Sequence, residues 1–180
     1  MQLFIITGGP GAGKTTLIDF LKSKGFSTVP ESARSVIKDQ VRINGDGVPW
    51  KNKYLYARLM FKESLEAYHE ISDTCSDRII FFDRGLPDTL CYMNMENIPV
   101  SEEFSKTIKK TIYNKKVFIL PPWDKIYEND TERKQSWDEA VLTYDRMKET
   151  YMDLGYDVVT VPTGTVEGRF DFILKHICLC

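Results

Sequence analysis

No apolar run in this sequence approaches the roughly 20 residues that a membrane-spanning helix needs. Neither sign of charge dominates. The formal net charge of −2 excludes a globally basic nucleic-acid binder and leaves room only for a local basic groove. Cysteine is sparse, and the four present (Cys75, Cys91, Cys178 and Cys180) follow no zinc-ligand spacing. Internal repeats, low-complexity tracts and linker-like stretches are also lacking, so a single domain over residues 1–180 is expected. The opening segment Met1–Thr7 is too short for a signal peptide and has no basic flank, which makes a cytoplasmic location with reduced cysteines the expectation.

What is present has the makeup of an ordinary soluble enzyme, with 42% hydrophobic and 28% charged residues. Short apolar runs alternate with longer helical patterns, the signature of a parallel sheet covered by helices. Five strands are predicted: Gln2–Thr7, Ser27–Pro30, Ile79–Asp83, Val117–Leu120 and Asp157–Val161. The runs Phe4–Ile6, Ile79–Phe82 and Val117–Leu120 show no polar alternation, as strands buried on both faces need not. Helices are predicted over Gly13–Lys24, along the stripe from Tyr54 to Ile71, from Ser136 to Gly155, and from Val166 to Ile177. Ser136 and Glu139 have capping-box spacing.

The most specific motif is Gly8-Gly9-Pro10-Gly11-Ala12-Gly13-Lys14-Thr15, a complete Walker A pattern between a strand and an amphipathic helix. Its glycines let consecutive backbone N–H groups wrap phosphate oxygens, and the following helix adds its positive dipole end. Gly8, Gly9, Gly11, Ala12, Gly13, Lys14, Thr15 and Thr16 are therefore the candidate residues for holding ATP. Lys14 is expected at the β- and γ-phosphates and the Thr15 hydroxyl on Mg²⁺.

Two acids end strands on the same side of the expected sheet. Asp83 closes an apolar run, where ligands of open parallel sheets gather, and would serve Mg²⁺ or an acceptor hydroxyl. Arg84 beside it would neutralise an anionic substrate or the group in transfer. Glu31 and Arg34 share a face of a first helical turn, which suits a carboxylate that takes a hydroxyl proton and a cation that holds the acceptor. Residues 122–135 form a long polar segment fit to be a lid, and Arg133 within it is the candidate for transition-state charge. The turn Val161–Thr165 lies where an adenine ring would rest, and Asn44–Trp50 is a candidate border of the acceptor site.

With these segments in hand, the chain resembles the NadR-like AAA-domain ATPase/kinase family, which includes ribosylnicotinamide kinase domains. The resemblance rests on Gly8–Thr15, Pro30–Arg34, Phe82–Gly85, Tyr127–Arg133, Leu154–Tyr156 and Val166–Phe170, and so covers nearly the whole chain. It implies a P-loop NTPase fold, a three-layer α/β/α sandwich whose five-stranded parallel sheet runs in the order 2-3-1-4-5. It also implies roles for Glu31, Arg34, Asp83 and Arg133. Phage-type polynucleotide 5′-kinases carry an acid and an arginine where this chain has Glu31 and Arg34, the acid there being Asp.

Three functions compete at this point. The first is a kinase of a small hydroxyl-bearing metabolite such as a nucleoside. The second is a nucleic-acid 5′-hydroxyl kinase, for which Lys106, Lys109, Lys110, Lys115 and Lys116 offer a basic patch set against Glu102 and Glu103. The third is a regulatory ATPase that signals to a partner. The terminal Cys178-Leu179-Cys180 has the form of a small-GTPase lipidation tail, but the Asn-Lys-x-Asp guanine motif is missing, so it is read as an incidental helix end.

Overall fold

The computed structural model describes residues 1–73, 78–124 and 136–177. Arg133 and the expected lid beyond Asp124 lie outside these residues, as do Cys75, Cys178 and Cys180. The strands are β1 (Gln2–Gly8), β2 (Ser27–Val29), β3 (Ile79–Asp83), β4 (Lys116–Leu120) and β5 (Asp157–Thr160). All pair in parallel, in the order β2-β3-β1-β4-β5. The expected order is therefore the observed one, with β3 between β1 and β2. β2 stops before Pro30, which has no N–H to give to a ladder. Beyond β5, Val161 N still donates to Ile119 O at 2.9 Å, so that boundary differs from the expected one by a single residue.

The absence of alternation in the central runs has its cause in the layers. Leu3, Ile5, Ile80, Phe82 and Val117 enter a core on one face, and Phe4, Ile6, Phe81, Phe118 and Leu120 enter a second core on the other. Successive side chains of one strand thus serve opposite cores, and both positions must be apolar. A fully buried Phe or Ile contributes about 1.5–3 kcal/mol by leaving water. Helices α1 (Lys14–Ser23) and α7 (Val166–Ile177) cover the second core with Leu17, Leu21 and Ile173. The first core is closed by Ala57 of α3 (Lys53–Ser72), Leu86 and Met93 of α4 (Leu86–Met95), Phe104 of α5 (Glu102–Lys110) and Tyr151 of α6 (Trp137–Asp153). Helix α2 (Ser32–Arg42) packs on α3 through Val36, Tyr56 and Met60.

The Ser136 capping box of α6 is present, Ser136 N donating to Glu139 Oε2 at 2.7 Å and Glu139 N to Ser136 Oγ at 3.3 Å. Three helices were not predicted: α2 beyond its first turn, α4, and α5, although α5 buries Phe104 and Ile108 at helical spacing. α4 is nearly buried along its length, so no polar face marks its period.

Candidate active site

The phosphate cradle is built from backbone. Gly8, Gly11 and Gly13 have φ of 151°, 76° and 72°, values that L side chains rarely adopt. A Cβ on Gly8 would also lie 2.8 Å from the carbonyl oxygen of Leu120, its partner in register on β4. Gly13 caps α1 without a side-chain acceptor, so the first-turn N–H groups of that helix are not taken by a cap. Lys14 follows directly and is buried, whereas Thr15 and Thr16 are exposed.

The strand ends bring the acids to this lysine. Lys14 Nζ donates to Glu31 Oε2 at 3.3 Å and makes a close contact with Asp83 Oδ1. Arg34, largely exposed, places Nε 3.1 Å from Glu31 Oε2. Lys14, Glu31, Arg34, Asp83 and Arg84, singled out by sequence, therefore meet in one cluster. Arg84 is turned into the protein. Its φ is 72°, its Nε donates to Glu31 Oε1 at 2.7 Å, its Nη1 to Asp88 Oδ1 at 3.1 Å and its Nη2 to the carbonyl of Gly8 at 2.9 Å. Arg84, expected to neutralise an anionic substrate or the group in transfer, thus donates from each of its three nitrogens to a protein oxygen while still bordering the cavity beside the cluster.

Burial opposes charge on Glu31, but Arg84, Lys14 and Arg34 outweigh it and lower the carboxyl to about 2. Burial raises Asp83 above the usual aspartate range, with the Glu31 charge adding to the rise and Lys14 opposing it. Burial likewise lifts the Tyr56 hydroxyl to about 12, helped by the charge of Glu31. Burial works against the Arg84 charge, yet Glu31, Asp88 and Asp83 hold its pKa above the ordinary arginine value.

Beside this cluster opens a cavity of about 290 Å³. Glu31, Asp83 and Arg84 line one part of it, and Tyr56, Met60 and Tyr92 another. Tyr56 and Tyr92 pack edge to face with ring centroids 5.4 Å apart. Of the expected acceptor segment, Pro49 borders the cavity while Trp50 is exposed.

Sequence reading missed two residues here. Asp88 is buried at the third position of α4, and only its spacing from Gly85 hints at the capping bond that Gly85 N makes to Oδ2 at 2.8 Å. Arg169 of α7 is buried against the cradle, with Nη1 3.2 Å from the carbonyl of Gly13 and its guanidinium over the Trp123 ring at 5.5 Å. Arg169 lies within the Val166–Phe170 segment of the family resemblance, but nothing in that segment's spacing assigns it to the P-loop.

A glycine cradle between the first strand and helix, with Asp83 ending the adjacent β3 and Glu31 just past β2 beyond it, defines an α/β protein of the P-loop kinase fold. Residues 3–169 match the family model described as an AAA domain, and the chain belongs to that family. No curated protein matches the sequence at a significant level. Among solved structures, NadR in complex with NR is similar at a TM-score of 0.71 and 20% identity, over 98% of this chain and 50% of NadR. NadR in complex with NAD and AMP-PNP aligns at a TM-score of 0.67 and 19% identity, over 98% of this chain and 48% of NadR. This chain thus spans about half the length of NadR. Thymidylate kinase from Ehrlichia chaffeensis is similar over 98% of both chains, at a TM-score of 0.62 and 15% identity. Deoxyadenosine kinase from M. mycoides with bound dATP aligns over 99% of this chain and 100% of its own, at a TM-score of 0.59 and 15% identity. The fold expected from the resemblance is the one found, and the matching family model agrees with the AAA-domain resemblance. Among the described residues no helix is long and apolar enough to cross a membrane.

Proposed function

We propose that this protein transfers the γ-phosphoryl group of ATP to a hydroxyl of a small, nucleoside-like acceptor. The observation that carries this reading is the meeting of both strand-end acids with the P-loop lysine at the edge of a small aromatic-walled cavity. Its volume of about 290 Å³ stands at the small end of ligand pockets and suits a metabolite. The rings of Tyr56 and Tyr92 suit a flat heterocycle. The lysines that argued for a polynucleotide are partly committed elsewhere: Lys106 Nζ lies 2.9 Å from Glu102, and Lys116 Nζ donates to the carbonyl of His176 at 2.8 Å.

In this reading the cradle N–H groups and Lys14 bind the phosphates. Mg²⁺ fits the donor set, because this ion is commonly held by one or two carboxylates beside substrate phosphates and keeps several waters. Thr15 and Asp83 would hold it, and when bound it supplies neutralising charge on the phosphate oxygens. Glu31 accepts the hydrogen bond of the acceptor hydroxyl and takes its proton. The acceptor oxygen bonds to the γ-phosphorus as the bond to the β-bridging oxygen breaks, leaving ADP. A carboxylate held near 2 is a weak base, but a loose transition state asks more of it in orientation than in basicity. The raised Asp83 is the specific ground for a second reading, in which Asp83 is the base. Arg133, in the segment expected from sequence to be a lid, remains the candidate for transition-state charge, and Val161–Thr165 for the adenine ring.

Incubating the purified protein with γ-labelled ATP and separate pools of nucleosides, vitamins and 5′-hydroxyl oligonucleotides tests the proposal. Label on a nucleoside-like compound supports it. Label on oligonucleotides alone makes the protein a polynucleotide kinase, and inorganic phosphate as the sole product makes it an ATPase.

A further inference from the structure

Asp88 has no role in the transfer step proposed above, yet it is bonded to several parts of the site. Its carboxylate is buried and accepts four donors from three separate stretches of the chain. Oδ1 takes the Thr7 hydroxyl, in a close contact, and Arg84 Nη1 at 3.1 Å. Oδ2 takes Gly85 N at 2.8 Å and the Tyr151 hydroxyl at 2.5 Å. A carboxylate offers about four lone-pair sites, so each acceptor direction has a donor. Thr7 immediately precedes the cradle glycine Gly8, and Arg84 binds the carbonyl of Gly8 as well as Glu31. Tyr151 comes from α6, whose Met147 also lines the acceptor cavity and sets its sulfur 3.9 Å from Arg84 Nη1.

We infer that Asp88 is a positioning residue, which holds Arg84 in its left-handed conformation so that one guanidinium fixes the Glu31 carboxylate relative to the phosphate cradle. The inference rests on the kinase reading for its effect on turnover, while the structural link stands independently of it. An arginine has several rotatable bonds, and three acceptors in different directions are needed to select one arrangement. Without Asp88, Arg84 retains Glu31 and Gly8 as partners but loses the anchor that ties it to α4, β1 and α6 together. Glu31 then samples positions away from the acceptor hydroxyl. A displacement of about 1 Å from a reactive geometry is enough to cost about 10²-fold in rate.

The test compares Asp88→Asn with Tyr151→Phe, which removes one donor to Oδ2 and leaves the bond from Arg84 in place. Two quantities are read on each protein. The first is solvent exchange of the Arg84 Nε–H by nuclear magnetic resonance, a measurement that needs no substrate. The second is kcat and KM on the acceptor found in the labelling screen. Asp88→Asn is expected to speed Nε–H exchange at least about tenfold and to lower kcat about 10–10²-fold with KM for ATP and acceptor nearly unchanged. Tyr151→Phe is expected to change both far less, although each variant loses stability. Unchanged Nε–H exchange in Asp88→Asn overturns the inference, whatever its thermal stability. Fast exchange with unchanged kcat also overturns it, because the arginine would then not govern the base. Should Asp88→Asn fail to fold, Arg84→Lys, which lacks the fork needed to span the three acceptors, must lower kcat by a similar factor; full turnover there equally overturns it. If the wild type labels no acceptor, the kinase reading falls, and the exchange measurement still decides whether Asp88 holds Arg84.

Discussion

The two halves of the candidate site are built by opposite means. The cradle is made of backbone from one continuous stretch, Gly8 to Thr15, and its shape follows from glycines at positive φ and a helix start. The acid and arginine cluster is made of side chains from β1, the β2–α2 junction, β3, α4 and α6, and its shape follows from hydrogen bonds between them. On the proposed function, the first half binds a group common to all nucleoside triphosphates, for which a fixed backbone template suffices. The second then has to orient one particular hydroxyl, and its members can each be exchanged. Conserving a chemistry asks for the first kind of construction, and varying an acceptor asks for the second.

Several variants break this comparison at chosen points. Glu31→Gln carries the largest expected effect, a loss of transfer of about 10²–10⁴-fold with Mg²⁺·ATP affinity nearly intact. Rapid-quench assays with separate binding measurements check it. Full transfer in this variant, with loss of transfer but unchanged Mg²⁺ affinity in Asp83→Asn, assigns the base to Asp83. Lys14→Ala comes next and acts on the other half. Losing a charge-assisted bond to phosphate should weaken ATP binding by about 10–10²-fold in calorimetry, and equal affinity would remove Lys14 from the phosphate site.

Gly8→Ala sharpens the contrast by attacking backbone alone. With φ at 151° and a carbonyl 2.8 Å from the new Cβ, it should cost roughly 1–3 kcal/mol of stability, read from denaturant midpoints. An unchanged midpoint would show that the cradle can rearrange around a side chain. The smallest effect concerns pH. The Glu31 carboxyl lies near 2 in the folded chain against an ordinary 4.5. A depressed pKa stabilises the fold above the unfolded value, so its contribution is complete above about pH 4.5 and fades as pH falls towards 2. The difference in unfolding midpoint between wild type and Glu31→Gln should accordingly be constant at neutral pH and shrink through that acid window. A difference independent of pH would detach Glu31 from its three cations.

The same division explains what could be read from sequence. The P-loop was legible because eight adjacent residues carry it, and the central strands because two-sided burial removes polar residues from them. The order of the sheet came from the family resemblance, as no local signal tells β3 to lie between β1 and β2. Tyr151 appeared only as one more member of an apolar stripe on α6, and nothing in its neighbourhood tells of the carboxylate it meets. Asp88 lies in a helix without an apolar period, and its partners Thr7 and Tyr151 stand 81 and 63 positions away. Arg84 was legible as a site residue, but not as one facing inward, since that depends on Asp88 and the Gly8 carbonyl. Spacing finds residues that cooperate within a turn, and it has no access to those that cooperate across a sheet.

The Asp88 cluster also bears on how the molecule assembles. Its bonds join Thr7 near the start of the chain to Tyr151 far along it, so they form only after β1, β3, α4 and α6 have docked. Closing such long loops carries an entropic cost that no local contact offsets, which assigns these bonds to the late, downhill side of the folding barrier. Substitutions there should therefore speed unfolding while leaving the refolding rate nearly unchanged. The half of the site proposed to orient the acceptor would then be the last part of the protein to appear and the first to be lost.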